Sequence, residues 1–305
     1  MALTTLYPAE RGGLRVSFEY FPPKSDEMEA QLFETVRVLA AYRPAFQTVT
    51  YGAGGSTKAR SLTTVKRMLQ APGAVPTAAH LTCVGATREE VDHVIDEFVA
   101  LGVRHFIALR GDPPGGIGTA YTPFPGGYEN AAALVSAITK RGTFEVSVSA
   151  YPEKHPESRD TAADIDMLKR KVDNGATRAL TQFFFDNNDF ERYLDRVRAA
   201  GITIPVVPGV LPINHLTQVR NFAGKCGARV PEAIIARLGH LEGVPHEHAR
   251  EATHIAAEQI VDLARRGIRD IHVYSMNRSP LVSAVLDLVG FDKVDPDLTR
   301  NDVAA

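Results

Sequence analysis

Between residues 14 and 289, short apolar runs alternate with stretches in which apolar side chains recur every three or four positions. The runs end in glycine, proline or polar clusters and read as buried strands. The stretches read as amphipathic helices packed on them. Strands are predicted over 14–20, 45–51, 77–84, 104–109, 144–150, 178–184, 204–207 and 270–274. The first helix carries Met28, Leu32, Val36 and Leu39 on one face. Further helices are predicted over 58–69, after Thr87, and over 128–139, 162–174, 190–200, 215–266 and 280–289. Thr87 with Glu90 three residues on is a capping box, and Gly175 and Gly201 stop the helices before them. The long 215–266 stretch carries one visible break, at Val230-Pro231.

Eight strands, each followed by helix, with no linker or shift in composition, predict a single (β/α)8 TIM barrel of the α/β class over 1–305. The polar tail 295–305 is expected to fray. A doubly wound sheet is the competing architecture, but it has fewer strands and a GxGxxG turn. Neither Gly52-Ala-Gly-Gly-Ser56 nor Gly115-Gly-Ile-Gly-Thr-Ala120 matches that turn or a Walker loop.

Composition narrows the classes of partner. A net charge of −2 leaves no basic footprint for nucleic acid or an anionic membrane. No apolar run reaches the ~18 residues of a membrane span, and the start Met1-Ala-Leu-Thr-Thr lacks the apolar stretch of a signal peptide. Cys83 and Cys226 build neither a disulfide framework nor a CxxC zinc site. A cytoplasmic protein without nucleic-acid or membrane partners is expected.

In such a barrel the ligand site lies at the carboxyl ends of the strands, so the polar residues there carry the functional signal. Glu19 stands among aromatics and prolines in Phe18-Glu-Tyr-Phe-Pro-Pro23. Apolar surroundings disfavour its charged form and move it toward the range of a general acid; the competing reading is an ion pair with an arginine inside the barrel. Thr50 and Tyr51 are ordinary strand residues on their own, and a lone His80 is more often a satisfied core histidine than a ligand. Arg110-Gly111-Asp112 delivers a cation and an anion to a strand lip, with Gly111 allowing close backbone approach. Tyr151 and His155, held between prolines, suit a planar ligand. Asp164, Arg170 and Lys171 follow on a helix, where the two cations suit phosphates or form a solvated face. Gln182 precedes three aromatics, and Tyr274-Ser-Met-Asn-Arg278 closes the series. There is no strand-end lysine for a Schiff base, no nucleophile with its base, and no carboxylate–histidine cluster for a metal. Such a site suits an organic cofactor that carries the chemistry.

The ordered set Phe18-Glu-Tyr-Phe-Pro-Pro23, Thr48-Val-Thr-Tyr-Gly-Ala53, His80-Leu-Thr-Cys83, Ala108-Leu-Arg-Gly-Asp112, Tyr151-Pro-Glu-Lys-His-Pro156, Leu168-Lys-Arg-Lys-Val-Asp173, Thr181-Gln-Phe-Phe-Phe-Asp186 and Pro208-Gly-Val-Leu-Pro212 resembles the methylenetetrahydrofolate reductases. The likeness runs from about Val16 to Arg278, with roughly one motif per strand–helix unit, and is to the short bacterial form without a regulatory domain. It implies a (β/α)8 barrel with non-covalent FAD across the carboxyl ends of the strands. It also implies ping-pong catalysis: NADH or NADPH reduces the flavin and leaves, and 5,10-methylenetetrahydrofolate then takes the hydride. The product is 5-methyltetrahydrofolate, used in methionine biosynthesis. On this resemblance Glu19 is the acid that opens the methylene bridge to an iminium at the pterin N5. Asp112 tunes the flavin and steadies that cation. FAD contacts carry over to His80, Arg110, Gly111, Asp112, Tyr128, Ala150, Tyr151, His155, Asp164, Arg170 and Lys171, the last two at the diphosphate. Substrate contacts carry over to Glu19, Thr50, Gln182, Gln218, Phe222 and Arg278, with Phe222 stacking and Gln182 reading the pterin edge. Met167 stands where bacterial members offer an asparagine, and Glu129 where a small residue is usual. A homo-oligomer is expected. The rival readings are another flavin barrel of amine or proline dehydrogenase type, a pterin-binding methyl-transfer barrel without a redox cofactor, and a non-catalytic folate store.

Overall fold

A computed structural model describes residues 13–52, 58–71, 73–113, 115–116 and 119–294; the tail expected to fray lies outside them. The chain alternates β1 (Arg15–Tyr20), α1 (Asp26–Ala40), β2 (Phe46–Val49), α2 (Lys58–Gln70), β3 (Thr77–Thr82), α3 (Arg88–Ala100), β4 (His105–Leu109) and α4 (Ala131–Thr139). It continues with β5 (Glu145–Ala150), α5 (Thr161–Asp173), β6 (Arg178–Phe183), α6 (Asn187–Ala199), β7 (Val206–Val210), α7 (Leu216–Cys226), α8 (Glu232–Gly239), α9 (Pro245–Arg265), β8 (Asp270–Tyr274) and α10 (Ser279–Val289). The strands close into one parallel barrel in sequence order, with β1 against β8 through Ser17↔His272 and Glu19↔Tyr274. The predicted (β/α)8 barrel is therefore the observed fold.

The two-residue period of a strand sorts the side chains. Val16, Phe18 and Tyr20 of β1 point out into the apolar shell, where Leu32, Leu39 and Leu286 of the flanking helices meet them. Phe46, Ala78, Ile107, Leu180 and Val207 form a separate small cluster that plugs the lumen. Above this plug the inward positions turn polar, and the site begins there.

Three of the departures from the expected boundaries have a visible physical cause. The helix expected from 128 begins at Ala131, because the Asn130 side chain accepts from the backbone N–H groups of Ala132 and Ala133 at 3.0 and 3.1 Å. The 215–266 stretch is three helices. Gly227, in the left-handed region at φ 74°, ends α7, and a second break precedes Pro245, which opens α9. β7 does not stop before Pro208-Gly209 but runs through it to Val210. There the register against β6 shifts, and the Thr181 hydroxyl accepts from Gly209 N–H at 2.8 Å. Side-chain bonding thus replaces the ladder bonds that the proline interrupts.

Candidate active site at the barrel mouth

Glu19 occupies the last inward position of β1, its side chain only 12% exposed. Its Oε2 lies 3.5 Å from Nε2 of His80 on β3 and 3.7 Å from Nε2 of His272 on β8. The expected alternative, an interior arginine, is replaced by these two imidazoles. Burial lowers the His80 pKa to about 4, so that ring is neutral at ordinary pH. His272 is anchored from below, with Nδ1 2.8 Å from the Ser17 hydroxyl. Neither Nε2 has a hydrogen-bond partner, although both are buried. Their unspent bonding capacity converges on Glu19 and the space above it.

That space is a cavity of about 270 Å3 with Glu19, His80 and His272 toward the lumen and Thr50, Gln182, Phe222 and Tyr274 around it. Phe222 is 43% exposed and stacks on Phe183 at 5.4 Å with planes 28° apart, forming an aromatic flap. The Gln182 Oε1 accepts from Phe183 N–H at 3.1 Å, which fixes the amide and leaves its two N–H donors for a ligand edge. Tyr274 is held by donation from its hydroxyl to Thr181 O at 2.7 Å. Gly209 permits this crossing: a Cβ there would fall 2.4 Å from Thr181 O and 2.7 Å from the Tyr274 ring.

A second cavity of about 450 Å3 adjoins the first, sharing Tyr51, Leu109, Ser149, Tyr151 and Gln182. Arg110, Gly111, Asp112, Ala150, His155, Asp164, Met167 and Lys171 line it. Arg110 is not idle: it forms a bidentate pair with Glu157 at 2.7 and 3.0 Å and lies 4.4 Å over the Tyr121 ring. Asp112 is half-buried, and loss of hydration raises its pKa above the ordinary value, against the pull of Arg110. Gly111, at φ 85°, packs so closely that a Cβ would lie 2.4 Å from Val84 Cγ1. The 151–160 loop is pinned internally. Asp164 accepts from His155 N–H at 3.0 Å and from the Ser158 hydroxyl, while the His155 ring sits edge-on to Tyr151 at 4.6 Å. Lys171 is buried with Nζ donating to Ser149 O and Oγ at 2.9 and 3.2 Å, and burial lowers its pKa to about 8. Among the described residues no carboxylate lies within ion-pair reach of that ammonium, so it is available to a ligand anion.

Several expected contacts are not brought to either cavity. Arg170 is exposed on the outer face of α5, because successive helical residues turn by about 100° and only Lys171 faces in. Tyr128 donates its hydroxyl to Asp92 at 2.6 Å instead. Gln218 is exposed on α7, and Arg278 caps α10 against a separate cavity outside the barrel. Glu129 is exposed, away from both cavities. The sequence reading missed His272, whose signal was alternation: Asp270, His272 and Tyr274 share the face opposite Ile271 and Val273. It also missed Glu157, the partner of Arg110, which no spacing rule marks.

The two cavities join into one elongated cleft with aromatic walls and a carboxyl at the Glu19 end and an ammonium at the Lys171 end. Imidazole nitrogens without hydrogen-bond partners, a buried ammonium and a fixed amide give this cleft polar groups able to bond a large organic ligand along its length.

A family profile described as methylenetetrahydrofolate reductase matches residues 7–290. The 5,10-methylenetetrahydrofolate reductase of Pectobacterium carotovorum subsp. carotovorum is 38% identical over 292 residues, covering 95% of this chain and 94% of its own. That of Escherichia coli (strain K12) is 37% identical over 280 residues, covering 92% of each. Methylenetetrahydrofolate reductase (NADH) 1 of Zea mays is 34% identical over 93% of this chain and 50% of its own length. In fold, the chain is similar to an uncharacterized protein from Clostridium thermocellum that binds two copies of 5-methyl-5,6,7,8-tetrahydrofolic acid. Its TM-score is 0.58 at 14% identity, covering 91% of this chain and 94% of that one. The profile match and the identities along nearly the whole chain establish that this protein belongs to the methylenetetrahydrofolate reductase family.

Proposed function

We propose that this chain reduces 5,10-methylenetetrahydrofolate to 5-methyltetrahydrofolate, with FAD as hydride carrier and NADH or NADPH as donor. The observation that carries the reading is Glu19, a buried carboxyl flanked by two imidazoles beneath an aromatic flap and beside a cation-lined cavity. The chemistry FAD would supply here is that of a hydride carrier between nicotinamide and folate. Lys171 and His155, with Arg110 held by Glu157, suit its phosphates and ribityl chain.

The remaining work belongs to the chain. Glu19 is the proton donor on the pterin side of the cleft; a neutral His80 does not compete for that role at ordinary pH. Transfer of that proton to the substrate amine breaks the carbon–nitrogen bond of the methylene bridge and leaves the carbon as an iminium at N5. Asp112, half-buried in the adjoining cavity, is the carboxyl we assign to contribute negative potential to that cation. Gln182 donates to the pterin edge, and Phe222 stacks on whichever ring occupies the cleft. In this reading both half-reactions take place in the one cleft over Glu19, so the nucleotide leaves before the folate binds.

The deciding experiment is an absorption spectrum of the purified protein under anaerobic conditions. A flavin band that bleaches with NADH or NADPH and returns on adding 5,10-methylenetetrahydrofolate is the expected outcome. A band restored by a quinone but not by the folate would assign a dehydrogenase of amine or proline type. Absence of any flavin after reconstitution would leave the methyl-transfer reading.

A further inference from the structure

One short helix overhangs both cavities at the barrel mouth. α7 carries Phe222 in the wall of the first and Cys226, its last residue, in the wall of the second. A buried stripe of Leu216, Val219, Ala223 and Cys226 decides which face of α7 points inward, and its two ends are held by other elements. At the start, Glu242 accepts from Thr217 N–H at 3.0 Å and from the Thr217 hydroxyl at 2.6 Å. The far end is seated on the loop after β5, which lends Tyr151, His155 and Pro156 to the second cavity. Gly227 closes α7 so near that loop that a Cβ would fall 2.6 Å from Lys154 O and 3.2 Å from Pro156 Cγ. Two residues on, Arg229 N–H donates to both carboxylate oxygens of Glu153, at 3.1 and 3.0 Å. The Arg229 guanidinium reaches Asp189 at 3.2 Å and Asp186 at 3.8 Å, at the start of α6.

Glu153 occupies a costly place for a carboxylate. It is partly buried, and lost hydration, with Asp186 and Asp189 nearby, raises its pKa against the pull of the Arg229 N–H. It lines neither cavity, so its contribution is mechanical. A charge-assisted bond from a loop carboxylate to a backbone N–H fixes the chain just beyond the α7 terminus. Between Phe222 and Cys226 the chain is helix, a stiff arm, so a shift at Gly227–Arg229 is carried to the Phe222 ring. The loop is stiff as well: Asp164 accepts from His155 N–H at 3.0 Å and from the Ser158 hydroxyl. A displacement at the second cavity thus has a continuous path of contacts to the wall of the first.

We propose that Glu153 is a positioning residue that clamps the end of α7 to the loop after β5, so that filling the second cavity sets the seat of Phe222 in the first. The coupling rests on the proposed function for the identity of its ligands, FAD and the folate; the clamp is a contact within the chain.

Backbone hydrogen exchange on the full chain, without and with added FAD, reads the clamp in the absence of turnover. In the parent, FAD should slow exchange across α7 about fivefold or more, the usual size of a coupling between two sites. Glu153→Ala should speed exchange in α7 about tenfold, as expected for loss of a hydrogen bond to a charged acceptor. It should leave the eight strands unchanged and abolish the FAD response while FAD still binds. Glu153→Gln keeps an acceptor oxygen for Arg229 N–H and should restore that response. In steady state, Glu153→Ala should raise KM for the folate about fivefold and change kcat by less than about twofold. Faster exchange throughout the barrel with an equal fall in kcat would mark a merely structural role and overturn the proposal; so would parent-like protection of α7. Arg229→Ala, at an exposed side chain, cuts the leg to Asp186 and Asp189 and carries the test if Glu153→Ala does not fold. Exchange in the last turn of α7 should then rise about threefold or more, and parent-like exchange overturns the proposal. A parent that shows the FAD response without reducing the folate refutes the proposed function and supports the clamp. One that reduces the folate without that response refutes the clamp alone, and failure to bind FAD refutes both.

Discussion

At the scale of single residues, the site separates two jobs that acidic side chains at a strand end can do. Glu19 sits against imidazoles in the lumen, whereas Asp112 lies half-buried on a loop near Arg110. The Glu19→Gln variant keeps the shape of the cleft and removes the proton. Flavin reduction by NADH should stay within about threefold of the parent, while folate reduction falls by at least the 10²–10⁴-fold typical of a lost general acid. Stopped-flow measurement of each half-reaction separates the two, and equal losses in both would refute the assignment. Lys171 makes a pH prediction of definite sign. With its pKa lowered to about 8, it is a cation below that pH and neutral above. FAD affinity should therefore fall as pH rises through 8, and Lys171→Met should weaken binding at pH 7 and flatten the profile. Fluorescence titration of apoprotein across pH 6.5–9.5 reads both; a flat profile in the parent would remove Lys171 from the phosphate contacts.

At the scale of elements, the pattern of apolar runs predicted every strand and most helices because both periods were clean. The capping box after β3 was legible to the residue: Glu90 N–H donates to Thr87 Oγ1 at 3.2 Å, and Thr87 N–H donates to Glu90 Oε2 at 2.8 Å. Thr87→Ala should lower stability by about 1 kcal/mol in denaturant titration. β7 was misjudged because Pro208-Gly209 carries the local signature of a turn. What keeps it a strand is non-local: Gly209 donates to the Thr181 side chain, and the Tyr274 ring crosses where a Cβ would sit. Gly209→Ala should therefore cost about 1–3 kcal/mol, the range for overpacking a core, and should disturb the Tyr274 wall of the cleft. A variant as stable as the parent would contradict the close approach. The site residues divided in the same way. Glu19, Thr50, His80 and Gln182, at or near strand ends, line the cleft as their positions suggest, whereas His272 emerged only from the closed barrel and Arg170 and Lys171 needed the helix rotation to tell the outer cation from the inner one.

At the scale of the whole molecule, the lumen holds buried histidines whose burial links folding to pH. His80 and His105 have pKa values lowered to about 4 and about 3, mainly by desolvation. Unfolded, each takes a proton near pH 6.5. Stability is therefore fully present above that pH, declines as pH falls through 6.5, and levels off only near the folded values. The loss is on the order of a few kcal/mol for each ring. Urea midpoints should drop between pH 7 and pH 4.5, and His105→Gln should make that decline shallower; an unchanged slope would show that the ring charges within the fold at ordinary cost.

What the sequence by itself determined was the order and type of the elements, the barrel they close into, and the family of the chain. Those rest on local periodicity and on motifs contiguous along the chain. Only the tertiary structure decided which polar groups meet. Glu19 and His272 lie far apart in the chain yet stand 3.7 Å apart across the β1–β8 seam, and Arg110 finds Glu157 from the next strand's loop. Ring closure and helix rotation set such distances, and neither leaves a mark in residue spacing.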